Sequence, residues 1–137
     1  MIRPAQLEDI DALLLLLQQL FGIEDDFEFD AKKQMRGLRL LLNSTNAVIM
    51  IAESQGSVIA MGTAQLVIST SEGGPAVLIE DVVVNPSWQK QGIGSMLLEW
   101  LGDWGAMHGA NRMQLLADRT NSQPSAFITL RVGSKHS

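Results

Sequence analysis

One stretch restricts this chain more than any other: Val82-Val83-Val84-Asn85-Pro86-Ser87-Trp88-Gln89-Lys90-Gln91-Gly92-Ile93-Gly94-Ser95. Three β-branched residues in succession suit a strand buried on both faces. Pro86 ends that strand, because proline cannot donate to a ladder and pushes Asn85 toward extended geometry. From there the apolar positions fall at Ile93, Met96, Leu97, Trp100, Leu101 and Trp104. This is helical spacing with one buried stripe, so both tryptophans read as core. A glycine-rich helix start leaves its first N–H groups without intrahelical partners, at the positive end of the macrodipole. Such a terminus can hold a phosphate, and without Cβ atoms at Gly92 and Gly94 a ligand can come close. The stretch reads as a diphosphate cradle; a plain strand-to-helix turn is the alternative.

The rest of the chain supplies a fold for that cradle. Residues 1–5 suit a short edge strand, and Leu7, Ile10, Leu13, Leu14, Leu17 and Leu20 a helix ending near Gly22. The acidic segment from Glu24 reads as a solvated loop in which Asp30 caps the next helix, or as a lure for a cationic amine. Residues 31–43 form a second helix, with Met35, Leu38, Leu41 and Leu42 inward and Lys32, Lys33, Arg36 and Arg39 outward. Strands follow over Ala47–Ala52 and Val58–Ser69, joined by a turn at Ser54-Gln55-Gly56-Ser57, and then over Ala76–Val84. A further strand at Asn111–Leu116 and a short final helix at Pro124–Val132 complete the reading. Hairpins feeding one helical crossover indicate an α/β fold with a mixed sheet.

Composition narrows the function. A chain of 137 residues with 46% hydrophobic and 18% charged content suits one globular domain, residues 1–137. There is no cysteine, hence no disulfide, thiolate metal site or cysteine nucleophile. His108 and His136 are too few and too far apart to suggest a metal centre. No apolar run approaches a membrane span or a signal peptide, and a cytosolic setting is expected. A net charge of −5 argues against nucleic acid. It does not argue against a phosphorylated ligand, because surface acids beyond a Debye length of roughly 8 Å are largely screened.

The cradle is neither a Walker loop, which needs Gly-Lys-Ser/Thr, nor the three spaced glycines of a Rossmann turn. Gln89-Lys90-Gln91-Gly92-Ile93-Gly94, after an apolar strand and Asn85-Pro86, resembles the Arg/Gln-x-x-Gly-x-Gly/Ala signature of the GCN5-related N-acetyltransferases (GNAT). The order of elements is similar over nearly the whole chain. The resemblance implies the acetyltransferase fold: a mixed, mostly antiparallel sheet with a splayed central parallel pair and flanking helices, apparently without the family's last strands. It implies acetyl-CoA as co-substrate, its pyrophosphate held by Gln89, Lys90, Gln91, Gly92, Ile93, Gly94 and Ser95. The pantetheine arm would lie along the backbone of Val82, Val83 and Val84, where one N–H polarises the thioester carbonyl, and against Asn121. Gln89 stands where the family often has arginine, so a charged bidentate contact becomes a neutral one.

Acyl transfer to an amine requires a neutral nucleophile and a stabilised oxyanion. An amine of pKa ~10 is only about one part in a thousand neutral at pH 7, and deprotonating it costs roughly 4 kcal/mol. The family resemblance points to a carboxylate on the central strand as general base, with Glu80 the first candidate and Asp81 the second. Regular alternation would send the two to opposite faces, so a dyad is not expected. Thr129 occupies the place of the family's frequent tyrosine acid, and the chain has no tyrosine. The ending at Gly133–Ser137 is not strand-like and would leave an open edge that a homodimer could cover. The expected function is N-acetylation of a primary amine of a small molecule by direct attack in a ternary complex. The alternative is a catalytically weak regulatory module that binds CoA or acetyl-CoA.

Overall fold

The computed structural model describes residues 1–22, 30–116 and 127–131. The strands are β1 (Ile2–Pro4), β2 (Ala47–Ser54), β3 (Ser57–Ser69), β4 (Gly74–Val84), β5 (Arg112–Leu116) and β6 (Phe127–Arg131). The α-helices are α1 (Ile10–Gly22), α2 (Ala31–Leu42) and α3 (Ile93–Met107). All six strands form one sheet in sequence order. Neighbours are antiparallel except β4 and β5, which are parallel and joined by α3. This is the mixed sheet expected from the order of hairpins and crossover. Among the described residues no helix is long and apolar enough to cross a membrane.

The sheet is buried on both faces, which is why its strands read as nearly continuous apolar runs. Alternation in β2 sends Met50 and Ala52 to one side, where they pack with Ala64, Val77, Ile79 and the α3 residues Leu97 and Leu101. Ile49 and Ile51 go to the other side and meet Leu13, Leu17 and Leu38 of α1 and α2, with Met61 and Val83. The approach of α3 to β4 is close: a Cβ at Gly105 would collide with the Val77 side chain. Asp30 caps α2 as expected, its Oδ1 accepting from the N–H groups of Lys32 and Lys33 at 3.1 and 3.2 Å.

The N-terminal strand is fastened by charge. Arg3 forks onto both oxygens of Asp9 at 2.9 and 3.0 Å and reaches Glu53 of β2 at 3.3 Å. Asp9 Oδ2 also accepts the Gln6 N–H at 2.7 Å. The Arg3 hydrogen bonds hold the Asp9 carboxyl below its usual range.

Two expectations are corrected here. Phe127–Arg131, read as part of a final helix, is a strand antiparallel to β5. A short apolar run cannot be assigned by periodicity alone, and the β5 edge offers it a full ladder. Trp100 is not core: it is 45% exposed, and Met96 49%. The buried seam of α3 runs through Leu97, Leu101 and Gly105, one position round the helix from Trp100.

Candidate active site

The cradle begins where β4 ends. Asn85 donates its N–H to Ile59 O at 2.8 Å, and its side-chain oxygen takes the Ser87 N–H at 2.9 Å, starting a one-turn 3-10 helix over Pro86–Trp88. Lys90 at φ +64° and Gly92 at φ +81° then bend the chain into α3. Gly92 is the N-cap and carries no side chain to cap the helix; the first helical bond is Met96 N–H to Gly92 O at 3.1 Å. The N–H groups of Ile93, Gly94 and Ser95 therefore lie in the first turn, where no intrahelical acceptor exists. A Cβ at Gly92 would meet nothing within 4 Å, so there is space over this terminus. Lys90, Gln91 and Ser95 are exposed around it. These features fit a diphosphate.

Two cradle residues act differently from the sequence reading. The Gln89 amide donates to Val84 O at 3.1 Å, tying the loop to the end of β4. Gly94 lies against the strand, where an added Cβ would sit 3.8 Å from Val84 Cγ2, so close ligand approach falls to Gly92. Ile93 and Trp88 pack on the core beneath α3.

Along β4 the ladder to β5 covers only Val77–Ile79, opposite Met113–Leu115, while β4 runs on to Val84. Past Ile79 the described residues give β4 no further ladder to β5. On that side Val82, Val83 and Val84 have no strand of the described residues beside them, and a polar arm could use their backbone groups. On its other side β4 pairs with β3 through Ala60–Val84 and Met61–Val83.

The register with β3 breaks at the carboxylates. Met61 faces Val83 and Thr63 faces Glu80, so Gly62 alone spans Asp81 and Val82. This is a β-bulge, and Asp81 sits in it at φ +52°, a conformation that costs a non-glycine residue roughly 1–3 kcal/mol. Thr63, 1% exposed, donates its hydroxyl to the Glu80 carbonyl at 2.7 Å and so fixes the bulge. The opposite-face expectation is overturned. With alternation broken, Glu80 and Asp81 line the same cleft, while Val82 packs on the α3 side.

That cleft, about 550 Å³, lies between α2 and the sheet. Leu17, Leu38 and Leu41 form its apolar wall; Gln34, Ser44, Gln65, Glu80 and Asp81 supply the polar groups. Thr63, Gln34, Ser44 and Gln65 were not singled out from the sequence. Their signal was a polar residue at an inward position: Gln34 on the α2 stripe of Leu38 and Leu41, and Thr63 and Gln65 two apart on an apolar strand. Asn121 and the acidic segment 24–29 lie outside the described residues. The backbone of Thr129 lies on β6 opposite Gln114.

A mixed sheet whose parallel neighbours β4 and β5 are joined by a helix with a glycine N-cap and an exposed first turn defines an α/β fold. The model of the acetyltransferase (GNAT) family matches residues 12–128. The chain belongs to that family and is thereby an acetyl-CoA-dependent N-acetyltransferase. A search of curated proteins finds no match. Among solved structures, a predicted acetyltransferase with acetyl-CoA from Clostridium acetobutylicum is similar at TM-score 0.76 and 21% identity, covering 89% of this chain and 83% of that one. An aminoglycoside 6'-N-acetyltransferase from Acinetobacter haemolyticus gives 0.75 and 21%, over 88% and 81%. Glucosamine-6-phosphate N-acetyltransferase from Arabidopsis thaliana gives 0.71 and 23%, over 88% and 84%. At these identities the likeness establishes the fold.

Proposed function

We propose that this protein acetylates a primary amine of a small molecule by direct attack within a ternary complex. The observation that carries the reading is the pair Glu80 and Asp81 lining one cleft, at the bulge of β4 with β3 just past its described ladder to β5. Acetyl-CoA supplies the activated acetyl thioester. The N–H groups at the start of α3, with Lys90, Gln91 and Ser95 around them, would hold its diphosphate. The backbone of Val82–Val84 would hold its pantetheine arm, one N–H polarising the reacting carbonyl. Glu80 takes the proton that the ammonium group must lose before its nitrogen can attack, directly or through a water, and Asp81 is the second candidate for that role. Asn121 is proposed to contact the pantetheine arm. The same reading takes residues 1–137 as a single domain, cytosolic and homodimeric.

Because the chain has no cysteine, a thiol-reactive dye reports released CoA without background from the protein. Glu80→Gln is expected to lower acetyl transfer at neutral pH about ten-fold or more, a positioned general base being typically worth about a hundred- to ten-thousand-fold. Calorimetry should find its acetyl-CoA affinity unchanged. An undiminished rate removes Glu80 from the mechanism; tight acetyl-CoA binding with no turnover over a broad amine panel would favour a regulatory module instead.

A further inference from the structure

Strand β3 carries two polar residues on the face it turns toward the cleft. Thr63 is already committed, its hydroxyl donating to the Glu80 carbonyl. Gln65 lies two residues further on, with Ala47 of β2 and Leu78 of β4 as its register partners. The ladder is regular between Thr63 and Gln65; the bulge lies on the other side of Thr63. Residues two apart on a strand share a face, so Gln65 stands diagonally across the ladder from Glu80, by ordinary cross-strand spacing roughly 7–8 Å away. Both are half-buried and both line the cleft, close enough for one small molecule to touch both side chains. Gln34 of α2 brings a second amide to the same lining. Among the described residues neither amide ties the fold together as the side chains of Thr63 and Gln89 do.

We infer that Gln65, helped by Gln34, is a specificity-determining residue for the acceptor: its amide binds a hydroxyl group that stands a few bonds from the amine received by Glu80. The acceptor is then a hydroxylated primary amine, in preference to an alkylamine of the same shape. The inference rests on the transfer reading given above and specifies its second substrate. A primary amide both donates and accepts, and so does a hydroxyl, so the two groups satisfy each other without adding charge. An alkyl group pressed against Gln65 would strip the amide of water and return no hydrogen bond, which is costly for a polar group. The carbon skeleton of the acceptor meets Leu17, Leu38 and Leu41, the apolar wall of the same cleft.

The test compares serinol with 3-aminopentane, which carries methyl groups in place of both hydroxyls, in the unaltered protein and in Gln65→Met. Gln65→Leu serves as the second variant should the first not fold. The unaltered protein is expected to favour serinol by about ten-fold or more in kcat/KM, well within what a site that hydrogen-bonds a substrate hydroxyl can reach. Gln65→Met should bring that preference down by about ten-fold, mainly through the KM for serinol, with acetyl-CoA affinity by calorimetry unchanged. The two amines differ in basicity, but that difference is the same for both proteins, so the change in preference isolates the amide. Equal or better use of 3-aminopentane by the unaltered protein overturns the inference, as does a preference that survives the loss of the amide. If neither amine is turned over, calorimetric binding of each to the CoA-loaded protein decides. Serinol binding that Gln65→Met weakens, with 3-aminopentane binding unaffected, upholds the role of Gln65 while the transfer reading fails. Binding of both amines alike, or of neither, overturns the inference.

Discussion

Thr63 shows how much one hydroxyl can set. Its bond to the Glu80 carbonyl replaces a ladder contact that the bulge removes, so the carboxylates depend on a residue that looks like ordinary core. Thr63→Val keeps the shape and deletes the donor. Leaving that carbonyl without its partner should destabilise the protein by about 1–3 kcal/mol. It should also lower kcat with little change in acetyl-CoA affinity, whereas Thr63→Ser should restore both. Denaturant unfolding read beside steady-state rates would separate the two effects. Glu80 and Asp81 were legible as candidates, because acids in an apolar strand need a reason to be there. Their shared face was not legible. Alternation assumes regular strand dihedrals, and a single positive φ at Asp81 cancels it.

Among the elements, α3 does two jobs: its first turn forms the cradle, and its buried seam fixes the distance to β4. That distance is set at Gly105, over Val77. Gly105→Ala should raise intrinsic helix propensity yet still destabilise by roughly 1–3 kcal/mol, because overpacking outweighs the propensity gain. The thermal midpoint would report it. The helix and its cradle were legible from strand, proline, paired glycines and heptad-like spacing. Which residues face inward was legible only to within one position, since Leu97, Leu98, Leu101, Trp100 and Trp104 leave the stripe ambiguous until β4 is in place. The strand at Phe127–Arg131 escaped for a related reason. Five residues carry too little periodicity to choose a state, and the choice belongs to the neighbouring edge.

At the scale of the whole molecule, the N-terminal strand closes the far side of the sheet through Arg3, Asp9 and Glu53. Asp9 is held ionised below its usual range in the folded state. Its contribution is therefore complete above the unfolded carboxylate pKa of about 3.9 and is lost as pH falls through the lower, folded value. Asp9→Asn should be less stable than the unaltered protein at pH 7, and the gap should narrow as pH falls below the unfolded value of about 3.9. Urea midpoints across that range would show it. The effect should be modest, because the pair is partly solvated. The order of elements as far as β5, the class of sheet and the glycine start of α3 were readable from local pattern; β6 and the bulge were not, since they depend on contacts distant in sequence. The two packed sides of the sheet also have different occupations. The α3 side supports the cradle and the α1–α2 side the cleft, and β4 is the wall they share. The sheet is thus a partition, and on the proposed reading a lineage could exchange one amine for another by altering Gln34, Ser44 or Gln65 without touching the residues that would hold acetyl-CoA.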